Sequence, residues 1–199
     1  MPSLLSEFDD FPRERNLIGE MLLAYGELEF VLVSSISQAL SVDIDTSTRI
    51  LFRVRGESAR LLVADAILRP TFSRHQLEAK WITAFSAANH CKNIRNQYAH
   101  CHWQLHEGKL YFINLDEEAT DNGEILNVTF FPIDLSLIER QYAYLEYAAA
   151  YLYFLDDRLA RKLGKELSTP PFPEPKSIPQ PPRDNRPSKA APAQEATNG

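Results

Sequence analysis

Four of the five histidines and both cysteines of this chain fall between Asn89 and His106. The same stretch holds Lys92, Asn93, Arg95 and Asn96. Its sharpest chemistry lies in the run Ile94-Arg95-Asn96-Gln97-Tyr98-Ala99-His100. On a helix Asn96 and His100 are four apart and share a face, and the long Arg95 side chain reaches the same spot from the flank. An arginine, an amide and a histidine brought to one point suit a phosphodiester. The guanidinium neutralises phosphate charge, the amide orients the group, and an imidazole titrating near neutrality moves protons. Read structurally, Arg95 and Asn96 would instead cap the end of their helix, with His100 packed beneath the segment that follows.

A zinc site is the competing reading of the His/Cys cluster. The candidates His90, Cys91, His100, Cys101, His102 and His106 do not form the paired CxxC or HxxxH units that structural zinc sites favour. Adjacent His-Cys pairs on a helix point in different directions, so no metal and no cofactor is expected. The chain has no P-loop, GxGxxG, GxSxG or HExxH signature.

Three further features bear on function. Arg49, Arg53 and Arg60 recur at spacings of four and seven, a narrow stripe along which a nucleic-acid backbone could lie. The alternative is a solvated face paired to acids such as Glu27 or Glu29. Glu29 itself interrupts the apolar run Leu28 to Val33, where a carboxylate is costly without a partner, and Arg95 across the bundle is a candidate. Tyr142, Tyr144, Tyr147, Tyr151 and Tyr153 stand among alanines near the end of the chain. Such a stripe reads first as core, then as a dimer interface, then as a stacking surface.

The elements that must position these residues are helical. Apolar periodicity predicts a first helix from about Arg13 to Leu40 and a second from about Ser47 to Leu68, stopped by Pro70. A third starts at Ser73, where Ser73 and Gln76 form a capping-box pattern, and continues toward Tyr98. A fourth runs from near Asp134 to Gly164. Between the last two, alternation resumes around Trp103 and Leu105, with turns at Glu107-Gly108 and Asn122-Gly123. This predicts a small antiparallel β insertion over about 102–131. The fold class is therefore all-α: four long helices with a β-hairpin insertion.

With 199 residues and 44% hydrophobic content, the chain has room for one domain and a tail. No stretch approaches the roughly 20 apolar residues of a membrane-spanning helix, and the acidic start does not resemble a secretory signal. Two cysteines cannot make a disulfide framework, so a reducing, cytoplasmic setting is expected. A net charge of −6 disfavours a basic nucleic-acid coat protein but leaves room for a local basic site. Nine of the 13 prolines lie between Pro170 and Pro192. The reading is a folded domain over 1–167 and a disordered, partly polyproline-II tail over 168–199, a plain solvated tail with an SH3-like ligand as the alternative.

The Arg95-Asn96-x-x-x-His100 spacing resembles the RxxxxH motif of HEPN domains, commonly written with Asn in second place. The setting agrees, with the motif late in one helix of an all-α bundle. The resemblance implies a homodimer in which two motif-bearing helices face each other. It further implies a metal-independent endoribonuclease of the toxin or phage-defence kind. Arg95 would stabilise the developing phosphorane charge. His100 would act as general base or acid while the RNA 2′-hydroxyl attacks the adjacent phosphate, and Asn96 would position the phosphate or His100. Glu29 and His102 would support the site. Members paired with a nucleotidyltransferase-like antitoxin often carry a tyrosine two residues after the histidine, whereas this chain has His102 there. The other expectation is a non-catalytic HEPN-like dimer that binds RNA, a nucleotide, an antitoxin or another regulatory protein.

Overall fold

The computed structural model describes residues 6–114 and 130–184. After a short 3-10 turn at Ser6–Phe8, the chain forms α1 (Pro12–Leu40), α2 (Ile44–Phe52), α3 (Glu57–Arg74) and α4 (Glu78–His100). The strands β1 (His102–His106), β2 (Lys109–Ile113) and β3 (Phe131–Pro132) follow, then α5 (Leu135–Lys162). Among the described residues, no helix is long and apolar enough to cross a membrane.

The first helix begins with Pro12 at its first turn, where the missing N–H costs nothing. It buries Ile18, Met21, Tyr25, Leu28, Leu32 and Ile36 along one stripe. It ends at Ser41, which adopts a left-handed φ of 54° and donates its N–H back to Gln38. α5 starts at Asp134, whose carboxylate accepts the Leu137 N–H at 2.7 Å, and Gly164 at φ 77° closes it. α1 and α5 pack along each other, α4 lies against both, and α3 packs on α1 and α4. The sequence thus places α1 and α5 to within a residue or two of their observed ends.

The single helix expected over 47–68 is two helices. Asp43 caps α2 early, accepting the Thr46 N–H at 2.7 Å. α2 stops at Phe52, and Gly56, at φ 82°, starts α3 in a conformation that favours glycine. Pro70 does not stop α3, which continues through it to Arg74. The proline removes one backbone hydrogen bond. The turn beyond it buries Thr71 and Phe72, and Phe72 stacks on Trp81 of α4 at 5.0 Å. The Ser73–Gln76 capping box does not form: Ser73 is still inside α3, and its hydroxyl donates to Glu78 at 3.0 Å.

The β insertion is a hairpin with a third strand on its β2 edge. Glu107 and Gly108 both take positive φ, 49° and 70°, as a two-residue primed turn requires. Trp103 pairs with Phe112, which in turn pairs with Phe131 on β3. The hairpin packs back on the bundle through Tyr98, whose ring stacks on Trp103 at 5.9 Å, and through Phe8, edge-on to Trp103 at 4.8 Å. The Asn122-Gly123 turn lies outside the described residues.

The tail also departs from expectation. Residues 168–184 form no helix or strand, yet they are held on the bundle rather than disordered. Phe172 stacks on Tyr153, Glu174 pairs with Lys80, and Pro181 and Asp184 are buried. Composition alone does not register that α4 and α5 leave a groove for the segment. The remainder of the tail, 185–199, lies outside the described residues.

Candidate functional site

α4 carries the motif on its last two turns. Arg95 and Asn96 are half-buried, and the Arg95 guanidinium donates to the Asn96 side-chain oxygen at 3.2 Å. His100, the last residue of α4, is exposed, on the same helix face as Asn96 one turn on. His102 opens β1, also exposed. The three principal residues are thus together at one end of α4, where that helix gives way to the hairpin.

Arg95 is not alone. Its Nη1 lies 2.8 Å from the carboxylate of Glu57 on α3, and its side chain is 30% exposed. Next to this pair stands a second, Glu29 of α1 with Arg60 of α3 at 2.6 Å. The expected Glu29–Arg95 contact is therefore corrected. Arg60 leaves α3 nearer to α1 and takes Glu29, while Glu57, one turn earlier on α3, meets α4 at Arg95. Burial raises the Glu29 carboxyl above its ordinary range, opposed chiefly by Arg60, while the charge of Glu57 adds to the rise. Tyr25, buried between them, is raised first by burial and then by both carboxylates. The buried Lys92 of α4 donates to Ser58 of α3 at 2.9 Å. Two acids and two arginines thus form a half-buried quartet joining α1, α3 and α4.

The arginine stripe does not survive as one surface. Arg49 is on α2 and pairs with Asp45 at 2.9 Å, and Arg53 follows the end of the same helix. Arg60 is on α3, committed to Glu29, with its guanidinium 5.3 Å from the Phe52 ring centre. The break at Gly56 separates these residues, so Arg60 is withdrawn from any nucleic-acid face. Only Arg49 and Arg53 remain side by side, lining an open surface groove with Thr46 and Ile50.

Cys91 is buried and Cys101 half-buried. Burial pushes Cys91 and Cys101 up to about 12, far above the range where a thiolate is available. Among the described residues, no group of three His, Cys, Asp or Glu side chains is placed to hold a metal ion. His90 points away from the motif, into the groove that holds the tail.

Two polar constellations escape a sequence reading. By spacing alone Glu57 reads as a surface acid, and only the break before α3 turns it inward. Asp156 of α5 accepts from Ser34, Ser35 and Gln38 of α1 at 3.0, 2.7 and 2.7 Å. Burial raises its carboxyl, and these hydrogen bonds oppose the rise. The Ser-Ser-x-x-Gln run on the α1 face was the available signal. No protein-family model, curated protein or solved structure matches this chain, so its own geometry carries the functional reading.

Proposed function

We propose that this chain is a HEPN-like, metal-independent endoribonuclease acting as a homodimer, with Arg95, Asn96 and His100 as its catalytic residues. One observation carries the reading: Arg95 and Asn96 are bonded to each other at the end of α4, and the exposed His100 stands one turn on along the Asn96 face. In the reaction, the 2′-hydroxyl oxygen attacks the adjacent phosphorus and the 5′-oxygen leaves. Imidazoles of His100 take up the first proton and return one to the leaving oxygen. Arg95 stabilises the charge of the phosphorane, and Asn96 holds either the phosphate or His100 in place. The products are a 2′,3′-cyclic phosphate and a free 5′-hydroxyl.

A second reading has its own observation. The Glu57 carboxylate already neutralises Arg95 at 2.8 Å, which suits a module that binds RNA, a nucleotide or a regulatory protein without cleaving. The two readings separate in one experiment. Labelled total RNA is incubated with purified protein in EDTA, beside His100→Ala and Arg95→Ala. The nuclease reading expects cyclic-phosphate ends from the wild type and a loss of cleavage of about 100-fold or more in each variant. A folded wild-type protein that leaves RNA intact gives the binding reading instead.

A further inference from the structure

The groove between α4 and α5 is built to hold an extended, proline-rich chain. Its occupant is the protein's own segment from Phe172 to Asp184. At one end Glu174 meets Lys80 near the start of α4 and the Tyr151 hydroxyl on α5. In the middle, the Pro181 carbonyl lies 2.9 Å from His90 Nε2, and the Gln180 amide nitrogen lies 3.0 Å from His90 Nδ1. At the far end the Gln141 amide donates to the carbonyls of Pro182 and Arg183 at 2.9 and 3.0 Å. The Gln97 amide donates to Arg183 at 2.9 Å.

The spacing of these contacts gives the conformation. From Lys80 to Gln97 α4 rises about 26 Å at about 1.5 Å per residue. The strap covers the same course from Glu174 to Arg183 in nine steps, about 28 Å at the 3.1 Å rise of polyproline II. The segment therefore lies nearly fully extended, parallel to α4 and antiparallel to α5.

The Gln141 side-chain oxygen accepts from the Tyr98 hydroxyl, which leaves its amide nitrogen, like that of Gln97, turned to the strap. Gln97 and Gln141 are each only 1% exposed. Burying an amide is costly unless its hydrogen bonds are made, and here the amides donate to main-chain carbonyls of the strap. Reading the main chain tolerates many side chains but requires an extended backbone with free carbonyls, which proline supplies at low ordering cost. Beside them an aromatic row steps along α5, with Tyr144, Tyr147 and Tyr151 at successive centroid separations of 5.5 and 5.7 Å. Tyr144 packs edge-on to His90, and Tyr151 meets Glu174.

We propose that this groove is a binding site for proline-rich peptides in extended conformation, and that residues 172–184 are its tethered ligand, which a proline-rich segment of a partner protein displaces. A tether of this kind presents the segment at an effective concentration on the order of millimolar, so a free peptide competes poorly until the strap is weakened. The site is independent of the nuclease reading, since neither Gln97, Gln141 nor His90 belongs to the proposed catalytic set.

The test uses the full chain and a fluorescent peptide of residues 170–184. Its binding is followed by anisotropy on the wild type and on a strap variant, Ile178→Asp with Pro181→Ser and Pro182→Ser, which leaves α4 and α5 untouched. The expected result is binding to the strap variant about tenfold or more tighter than to wild type. Adding Gln97→Leu to the strap variant should abolish that binding while circular dichroism keeps the helical signal. Equal, negligible binding to the wild type and to a folded strap variant overturns the proposal, leaving the strap as ordinary packing. So does binding that survives Gln97→Leu.

Discussion

At the scale of single residues, Arg95 is asked to do two things. It closes an ion pair with Glu57 and stands beside Asn96 at a helix end. A structural arginine and a catalytic one differ in what a lysine can replace. Lysine keeps the charge but loses the planar fork that spans a carboxylate, an amide and a phosphate. Arg95→Lys is therefore expected to keep most of the folding stability while abolishing cleavage. Arg95→Ala should cost about 1–3 kcal/mol in urea unfolding, because it leaves Glu57 half-buried beside Glu29 without its cation. Combining it with Glu57→Gln should recover part of that loss in a double-mutant cycle. Simple additivity of the two changes would remove the coupling on which this account of the quartet rests. The motif itself was legible from spacing, since four-residue steps on one helix need no tertiary information. Its partners were not. Glu57 is brought to Arg95 only by the packing of α3 on α4, and nothing local to either helix announces it.

At the scale of elements, the ends of α1 and α5 were readable because a proline, an aspartate cap and a glycine mark them. The split between α2 and α3 was not: Gly56 and its polar neighbours Arg55, Glu57 and Ser58 interrupt the apolar pattern, but a lone glycine is tolerated inside a helix and the pattern resumes at Leu61. Over 168–184 the tail departs from the disordered reading because a proline-rich composition forecasts an extended chain but says nothing of a groove that fits it. That fit has a consequence for pH. His90 is pushed below its ordinary range, first by burial, with the nearby Arg183 adding to the effect and the Pro181 carbonyl opposing it. Gln180 and the edge of the Tyr144 ring face it as well, and neither carries charge. A histidine with a lowered folded pKa takes up its proton more readily in the unfolded chain, so its contribution is complete above about 6.5 and shrinks as pH falls through that value. The strap should accordingly loosen below about pH 6.5, seen as lower amide protection factors (exchange relative to the intrinsic rate at each pH) at Gln180 and Arg183, the strap residues beside His90 that carry an N–H. His90→Gln should flatten that dependence, and an unchanged profile would assign the titration elsewhere.

At the scale of the whole molecule, the proposed site is incomplete without a second copy, so the question becomes which surface receives it. The outer face of α1 has the needed character. Leu23 is 83% and Phe30 58% exposed, and Gly19 and Gly26 on the same stripe have open space above them. The order small, large, small, large is complementary to its own reverse. In an antiparallel pairing of two α1 helices, Phe30 of one copy lies over Gly19 of the other, and Leu23 over Gly26. Such a pairing buries the two exposed side chains against backbone and satisfies the self-complementarity that a two-fold interface demands. The stripe also joins an apolar groove of about 340 Å³, lined by Arg15, Leu22 and Trp103 and reaching Ala99, the residue before His100. Two copies joined there would bring their motif ends toward one interface. Light scattering should then give twice the 22.7 kDa chain mass for the wild type and the single mass for Leu23→Asp with Phe30→Asp. Cleavage should fall with the dimer in that variant although Arg95, Asn96 and His100 are intact. A wild type that is monomeric at the concentrations where it cleaves RNA would confine catalysis to one chain and retire the composite site.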